Sequence, residues 1–125
     1  MGYSNGSDIS RISYLTHGFT EPHAVGYMES HDEERVMYKV ETYGASNASY
    51  NVKPLDSALN RMKTAACFFF PVPGPKMIWQ FGELGYDYSI GYGGGNTAPK
   101  PIKWDYLQYN PRYFLYKFFA ALIEL

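Results

Sequence analysis

Two short apolar runs, separated by a segment with helical periodicity, constrain the fold of this chain more than any other feature. The runs span residues 24–28 and 77–81, and both read as buried strands. The helix between them must end at Pro71, because proline lacks the backbone donor that a helix needs. Asn110 as N-cap and Pro111 as first helical residue predict a last helix. The order strand, helix, strand, helix predicts an α/β fold with neighbouring parallel strands.

Length and charge restrict the fold and the partners. A chain of 125 residues has room for one modest domain with a single core. Its net charge is -1 at pH 7 with both signs interspersed, so no basic stripe is present to follow a phosphate backbone. The apolar run 65–70 is far shorter than the roughly 20 residues of a membrane span. We therefore expect neither nucleic acid nor a membrane as a partner.

The cysteine and histidine content argues against a disulfide or a metal. Cys67 is the only cysteine, and its apolar neighbours predict a buried, inert thiol. His17 and His23 have no metal-ligand spacing to other donors, so we expect no metal site and no cofactor. The polar start MGYSNGSDISR lacks the apolar stretch of a signal peptide, which favours a chain that begins inside a longer protein. Cytoplasmic, periplasmic and secreted locations all stay open.

A histidine and an aspartate directly follow the first predicted strand. His31 and Asp32 would therefore lie at the carboxyl end of a parallel sheet, where α/β enzymes build their sites. The alternative is that Asp32 caps the helix that follows and that His31 is a hydrogen-bonded polar residue at a strand end. The surrounding sequence favours the first interpretation.

Residues 27–35, YMESHDEER, resemble the fourth conserved region of the α-amylase family of glycoside hydrolases (family 13), in which Asn or Ser precedes His-Asp. Further along, residues 74–85, GPKMIWQFGELG, resemble strand eight of that family with its Gly-x-Glu-x-Gly ending. Residues 101–106, PIKWDY, followed by a helix, are similar to the approach to the family's final barrel helix. The two motifs stand in the family's order, and the resemblance extends from about His23 onward.

The resemblance implies a partial TIM (β/α)8 barrel, roughly the last two βα units, strands 7 and 8 with their helices. Residues 1–125 would be the C-terminal portion of such a catalytic barrel, with no complete second domain. It also implies a retaining hydrolase or transglycosylase acting on α-1,4-linked glucans such as starch, glycogen and maltooligosaccharides. Asp32 matches the acid that stabilises the transition state, and His31 matches a residue that hydrogen-bonds the same sugar. Arg35 matches a frequent arginine of the motif and is a further substrate-binding candidate.

The chain also departs from the family. The family's nucleophile and acid/base lie on strands four and five, upstream of everything present here, so we expect the isolated chain to be inactive. Phe81 stands where a glycine is usual, and we expect Glu83 to be structural. Glu29, Glu33 and Glu34 could replace the missing acids in principle. A solvated, charged start to a helix is the simpler interpretation of these three residues.

Further expectations concern function, assembly and the loop after the second strand. A 1,4-α-glucan branching enzyme or related transglycosylase would carry the same motifs, and a non-catalytic glucan-binding or assembly module would bind maltooligosaccharides without any upstream acids. Two strands alone would leave Tyr27, Ile78 and their neighbours in water, so we expect the chain to self-associate through this exposed barrel face. Residues 86–103, with Gly93–Gly95 at their centre, are expected to form a mobile loop at the rim of the site, called the rim loop below.

Overall fold

The structure is a computed structural model that describes residues 8–125. Its strands are β1 (Gly26–Tyr27) and β2 (Lys76–Met77), and its α-helices are α1 (Val36–Tyr43), α2 (Leu55–Phe69) and α3 (Asn110–Ile123). Short 3-10 helices cover Ser10–Ile12, Tyr14–His17, Gly82–Leu84 and Trp104–Gln108.

The two strands pair in parallel, as the sequence predicts. Gly26 lies opposite Lys76 and Tyr27 opposite Met77, and the Gly26 amide donates to the carbonyl of Pro75 at 2.9 Å. Both strands are shorter than the apolar runs that predict them. β2 ends early because the chain turns at once, with the Gly82 amide donating to the Trp79 carbonyl at 2.7 Å.

The helices α2 and α3 follow the predicted periodicity. α2 begins directly after Pro54 and ends at Phe69, and the helix predicted before Pro71 is thus confirmed. α3 begins at Asn110 rather than after it, with Tyr109 at the N-cap position, so the predicted start is wrong by one residue. The reason is that no side chain caps this helix and the Tyr109 carbonyl accepts its first backbone hydrogen bonds.

The sequence predicts one helix between the two strands, whereas the structure has two, α1 and α2. The break falls at Gly44, where a Cβ atom would lie 2.2 Å from the Val40 carbonyl oxygen and 2.4 Å from Cγ2 of Val52. Only glycine fits such a close approach. The chain therefore leaves α1 at Gly44 and brings Val52 back into the core before α2 begins.

The hydrophobic core joins all three helices. α2 packs against both α1 and α3, and its buried side chains follow the predicted stripe. The fully buried members of this core are Met37, Val40, Val52, Ala58, Leu59, Met62, Ala66, Leu115 and Phe119. No helix within residues 8–125 is long and apolar enough to cross a membrane.

Cys67 is exposed, so the predicted buried thiol is wrong. The apolar residues that flank it in sequence do not share its face of α2. Ala66 and Phe69 point into the core, whereas Cys67 and Phe68 lie on the outer surface. Helical geometry sends neighbouring residues in different directions, and an apolar run alone does not reveal which of them is buried.

Candidate functional site

His31 and Asp32 lie side by side on the segment that joins β1 to α1. His31 Nε2 is 3.3 Å from Asp32 Oδ2, and the two side chains are 70% and 75% exposed. The imidazole ring packs against Trp79, with ring centroids 5.8 Å apart. Trp79 follows β2, so the structure brings residues of the two sequence motifs together. The sequence does not point to Trp79, because it lies in the middle of the apolar run 77–81, which predicts a buried strand residue there.

A tight turn holds Asp32 outward. Its backbone amide donates to Oγ of the buried Ser30 at 3.2 Å, and Ser30 Oγ in turn donates to the carboxylate of Glu33. Asp32 does not cap α1, whose first amide, that of Val36, donates to Glu29 Oε2 at 2.7 Å. The interpretation of Asp32 as a helix cap is therefore wrong, and its carboxylate remains largely in solvent.

Glu29 is buried rather than solvated, which corrects the simpler interpretation of the acidic residues. One of its oxygens accepts the Val36 amide, and the other lies 3.8 Å from Arg35 Nη1. Desolvation raises the pKa of the Glu29 carboxyl, while the Val36 amide and the Arg35 charge oppose that rise. A Cβ on Gly82 would come within 3.0 Å of Glu29 Oε1, so the segment after β2 packs closely on this carboxyl.

Arg35 is buried beside the same tryptophan that supports His31. Its Nη2 donates to Gln80 Oε1 at 3.1 Å, and its guanidinium lies over the rings of Trp79 and Tyr86 at 5.9 and 5.2 Å. Burial lowers the pKa of Arg35 from its usual value, and Glu29 counteracts this shift. A contact of Arg35 with a sugar stays a prediction. The contacts described here link the segments that follow β1 and β2.

Glu34 is also drawn into the structure. Its Oε2 accepts from Ser89 Oγ at 2.7 Å, and its Oε1 accepts from the amide of Ile90 at 2.8 Å. Oε1 also accepts the amide of Arg35 at 2.8 Å. Of the three glutamates around the His-Asp pair, Glu33 alone is exposed, so the solvated interpretation is wrong for Glu29 and Glu34.

Phe81 takes the backbone conformation that a glycine accommodates. Its φ is +58° and its ψ is 15°, the left-handed region that side chains with a Cβ rarely adopt. The ring packs against Tyr86 at 5.8 Å and edge-on against Trp104 at 4.8 Å. Aromatic contacts thus hold a left-handed turn at Phe81. Glu83, within this turn, is half-buried, and its structural role stays a prediction.

A second charged cluster lies where the rim loop begins. The buried Arg112 of α3 donates to the carbonyls of Leu84 and Gly85 and, at 2.5 Å, to Asp87 Oδ2. Its guanidinium stacks on Tyr106 at 3.8 Å. Burial, together with a hydrogen bond to Asp87, raises the pKa of Tyr106. Sequence reasoning did not find this cluster, since its members are far apart along the chain.

A large cavity among residues 8–125 lies away from the His-Asp pair. It is a groove of about 1050 Å³ beside β1, lined mostly by apolar and aromatic side chains, among them Tyr14, Phe19, Val25 and Phe68. His31, Asp32 and Arg35 do not line it. The groove is therefore a separate surface from the candidate site.

The chemistry available at the pair is recognition of hydroxyl groups and of positive charge. A carboxylate accepts hydrogen bonds, and an imidazole offers a donor and an acceptor. Within residues 8–125 no group of three or more His, Cys, Asp or Glu residues is placed to hold a metal ion. No protein-family model and no curated protein matches the chain.

Proposed function

We propose that this chain supplies the substrate-gripping part of a retaining, α-amylase-type glycoside hydrolase of family 13 that acts on α-1,4-linked glucans. The observation that carries the proposal is the exposed His31–Asp32 pair at the carboxyl end of β1, supported by Trp79 from the segment after the parallel strand β2. Both motifs of the family resemblance contribute to this one place. Strand ends of a parallel sheet are where barrel enzymes carry their catalytic groups.

The fold proposal is a partial TIM barrel in which β1 and β2 are strands 7 and 8. The parallel register of β1 and β2 and the helices between and after them support it. In such a barrel the groove beside β1 is the surface that a preceding βα unit would cover. The apolar lining of that groove suits burial against another element.

Asp32 would act on the charge of the reacting sugar. Glycoside cleavage passes through a transition state that resembles an oxocarbenium ion, and a nearby carboxylate stabilises that positive charge more than it stabilises the neutral substrate. His31 would donate to a hydroxyl of the same sugar. Its ring rests on Trp79, which limits its motion and thereby the entropy lost on binding.

The bond-breaking carboxylates would lie outside this chain, so the isolated chain is expected to bind maltooligosaccharides without hydrolysing them. A branching enzyme or another transglycosylase would use the same pair, and product analysis of a protein that also carries the two acids would separate these reactions. A purely glucan-binding module would bind equally well but would have no such acids in the complete protein.

The test is a titration of the ¹⁵N-labelled chain with maltoheptaose, followed by NMR. Amide shifts centred on His31 and Asp32 are expected, and Asp32→Asn should weaken the affinity about tenfold or more, the loss typical of a hydrogen bond to a charged group. Asp105→Asn is the matched control, because Asp105 is an exposed aspartate paired with Lys103 on a distant turn. The absence of shifts, or an affinity that is unchanged in Asp32→Asn, would refute the proposal.

Self-association through the barrel face belongs to the same proposal. Tyr27 in β1 and Ile78 just after β2 are 48% and 38% exposed. Light scattering after size exclusion is expected to show more than a monomer. Replacing Tyr27 and Ile78 by serine should shift the chain toward the monomer, whereas the same change at the exposed Ile102 and Tyr43 should not. A compact monomer of the unaltered chain would contradict this part.

A further inference from the structure

The segments that follow β1 and β2 meet at a group of buried polar atoms that have no hydrogen-bond partner among residues 8–125. These atoms are Oε1 of Glu29, Nε and Nη1 of Arg35, and Nε1 of Trp79. The Glu29 and Arg35 residues are only 5% and 2% exposed. Buried polar groups in folded proteins almost always have a partner, because a group without one loses the hydrogen bonds that water gave it. The group therefore points to a further binding partner at this place.

A small cavity lies between the same two segments. Its volume is about 10 Å³, and Glu29, Trp79 and Gly82 line it together with apolar side chains such as Met62 and Phe119. Glu29 Oε1 lies close to Gly82, since a Cβ on this glycine would stand 3.0 Å from that oxygen. A cavity needs about 10–15 Å³ to hold one water molecule. The cavity thus has room for one water molecule and for nothing larger.

The chemistry of the unpartnered atoms also selects water. Trp79 Nε1 and Arg35 Nη1 are donors, whereas Glu29 Oε1 is an acceptor. Nη1 and Oε1 are 3.8 Å apart, which is too far for a direct hydrogen bond and is typical of a contact bridged by water. The guanidinium repels a cation, and the carboxylate repels an anion. A neutral molecule that both accepts and donates fits these atoms.

We propose that the cavity is a binding site for a single internal water molecule, which accepts from Trp79 Nε1 and Arg35 Nη1 and donates to Glu29 Oε1. Buried waters typically make about three hydrogen bonds, the number that this arrangement provides. The water joins the segment after β1 to the segment after β2. This inference is independent of the proposed function, because it holds whether or not the His31–Asp32 pair binds a glucan.

The experiment records water NOESY and ROESY spectra of the ¹⁵N-labelled 125-residue chain and observes the indole Hε1 proton of Trp79. A long-lived bound water gives a cross-peak with the sign of the diagonal in the NOESY spectrum and the opposite sign in the ROESY spectrum. Hydrogen exchange with the solvent gives the sign of the diagonal in both. The bound-water pattern is expected at Trp79, and its absence would overturn the inference.

Gly82→Ala tests whether the signal comes from the cavity. The added methyl group would stand 3.0 Å from Glu29 Oε1 and 3.7 Å from Cγ2 of Ile78, where the water is expected to bind, so the cross-peak should be lost. Gly91→Ala is the matched control. A Cβ at Gly91 would meet only Ser89 Oγ, at 3.6 Å, and this variant should keep the cross-peak.

The control variants separate the water from other sources of the signal. A cross-peak relayed through exchanging guanidinium protons of Arg35 would survive Gly82→Ala, and its survival would overturn the inference. Loss of the cross-peak in both glycine variants would also contradict it. Loss in Gly82→Ala with retention in Gly91→Ala supports it.

A crystal structure of the unaltered chain decides the matter if Gly82→Ala fails to fold. Electron density for one water molecule within about 3.2 Å of both Trp79 Nε1 and Glu29 Oε1 would support the site. A well-ordered cavity without such density would refute it.

Discussion

Two aspartates follow the two strands of this chain, each beside a basic side chain, and their surroundings differ. Asp32 lies 3.3 Å from His31, and both side chains are mostly in solvent. Asp87 accepts from Arg112 at 2.5 Å, with the two side chains only 21% and 4% exposed. Both aspartates follow a strand of the same parallel sheet, so their position along the fold does not distinguish them. The two pairs differ instead in how far their side chains are buried.

The difference shows how a charged pair serves structure or function. The Arg112 guanidinium donates hydrogen bonds to Asp87 and to the carbonyls of Leu84 and Gly85, and it stacks on Tyr106. Such a network has little hydrogen-bonding capacity left for a ligand. The His31–Asp32 pair keeps most of its hydrogen-bonding capacity free. Its support comes from Ser30, which accepts the Asp32 amide, and from Trp79, which packs against the His31 ring.

Among the variants that test this comparison, Arg112→Met is expected to cause the largest loss of stability. The change leaves the half-buried Asp87 carboxylate without its Arg112 partner, although the Tyr106 hydroxyl still donates to it, and leaves two carbonyl groups without the Arg112 donor. Breaking a buried charge pair in this way typically destabilises a protein by about 3–5 kcal/mol. Urea unfolding followed by circular dichroism measures the loss. Lys103→Met, at an exposed lysine paired with Asp105, is the control and should leave the midpoint nearly unchanged. Equal losses for the two variants would contradict the structural role of the Arg112 network.

A smaller effect separates the two aspartates themselves. Asp87→Asn is expected to destabilise the fold by about 1–3 kcal/mol, because it weakens two hydrogen bonds in a half-buried network. Asp32→Asn should change the free energy of unfolding by less than about 0.5 kcal/mol while it weakens the proposed glucan binding about tenfold or more. Unfolding curves of both variants, recorded at one pH, test the distinction. A large loss of stability in Asp32→Asn would remove the contrast between a binding pair and a structural pair.

The smallest expected effect is on the pH dependence of stability. Burial raises the pKa of Glu41 on α1 from 4.5 to about 7, and the nearby Asp87 charge adds to the rise while Arg112 opposes it. The folded chain therefore keeps a proton that the unfolded chain loses, so stability falls as the pH rises from about 4.5 to about 7. Glu29 acts in the same direction, since burial also raises its pKa.

The variant Glu41→Gln separates the contribution of Glu41 to the pH dependence of stability from that of Glu29. It is expected to raise the free energy of unfolding by about 1 kcal/mol near pH 8, where Glu41 is charged, and to add little near pH 4. Thermal unfolding across this range measures the slope. Glu21→Gln serves as the exposed control. A gain of equal size at both ends of the range would show that the charge of Glu41 is not the cause.

The sequence was informative wherever a local pattern decides the outcome. The stripe that places Leu59, Met62 and Ala66 on one face predicts α2, and the proline run predicts its end. Two apolar runs joined by helical segments predict the parallel pairing that the structure has. The His31–Asp32 pair was found because it directly follows the first of those runs.

The features that the sequence does not predict depend on contacts between residues far apart along the chain. The end of α1 at Gly44 is imposed by Val52, which packs where a Cβ would stand. The burial of Glu29 and the partial burial of Glu34 depend on partners at Val36 and in the rim loop. An acidic stretch in a sequence instead predicts solvated side chains. The Arg112 network joins residues more than twenty positions apart. Periodicity and motifs are local, so such pairings leave no trace in them.

The contact between Trp79 and His31 has a practical consequence. An indole ring changes its fluorescence when its immediate surroundings change, so a ligand seated on the His-Asp pair would alter the emission of Trp79 without any label. The only other tryptophan, Trp104, packs against Phe81 instead. In a Trp104→Phe background the chain would thus carry its own optical sensor at the candidate site, suited to stopped-flow measurement of how fast a sugar arrives and leaves.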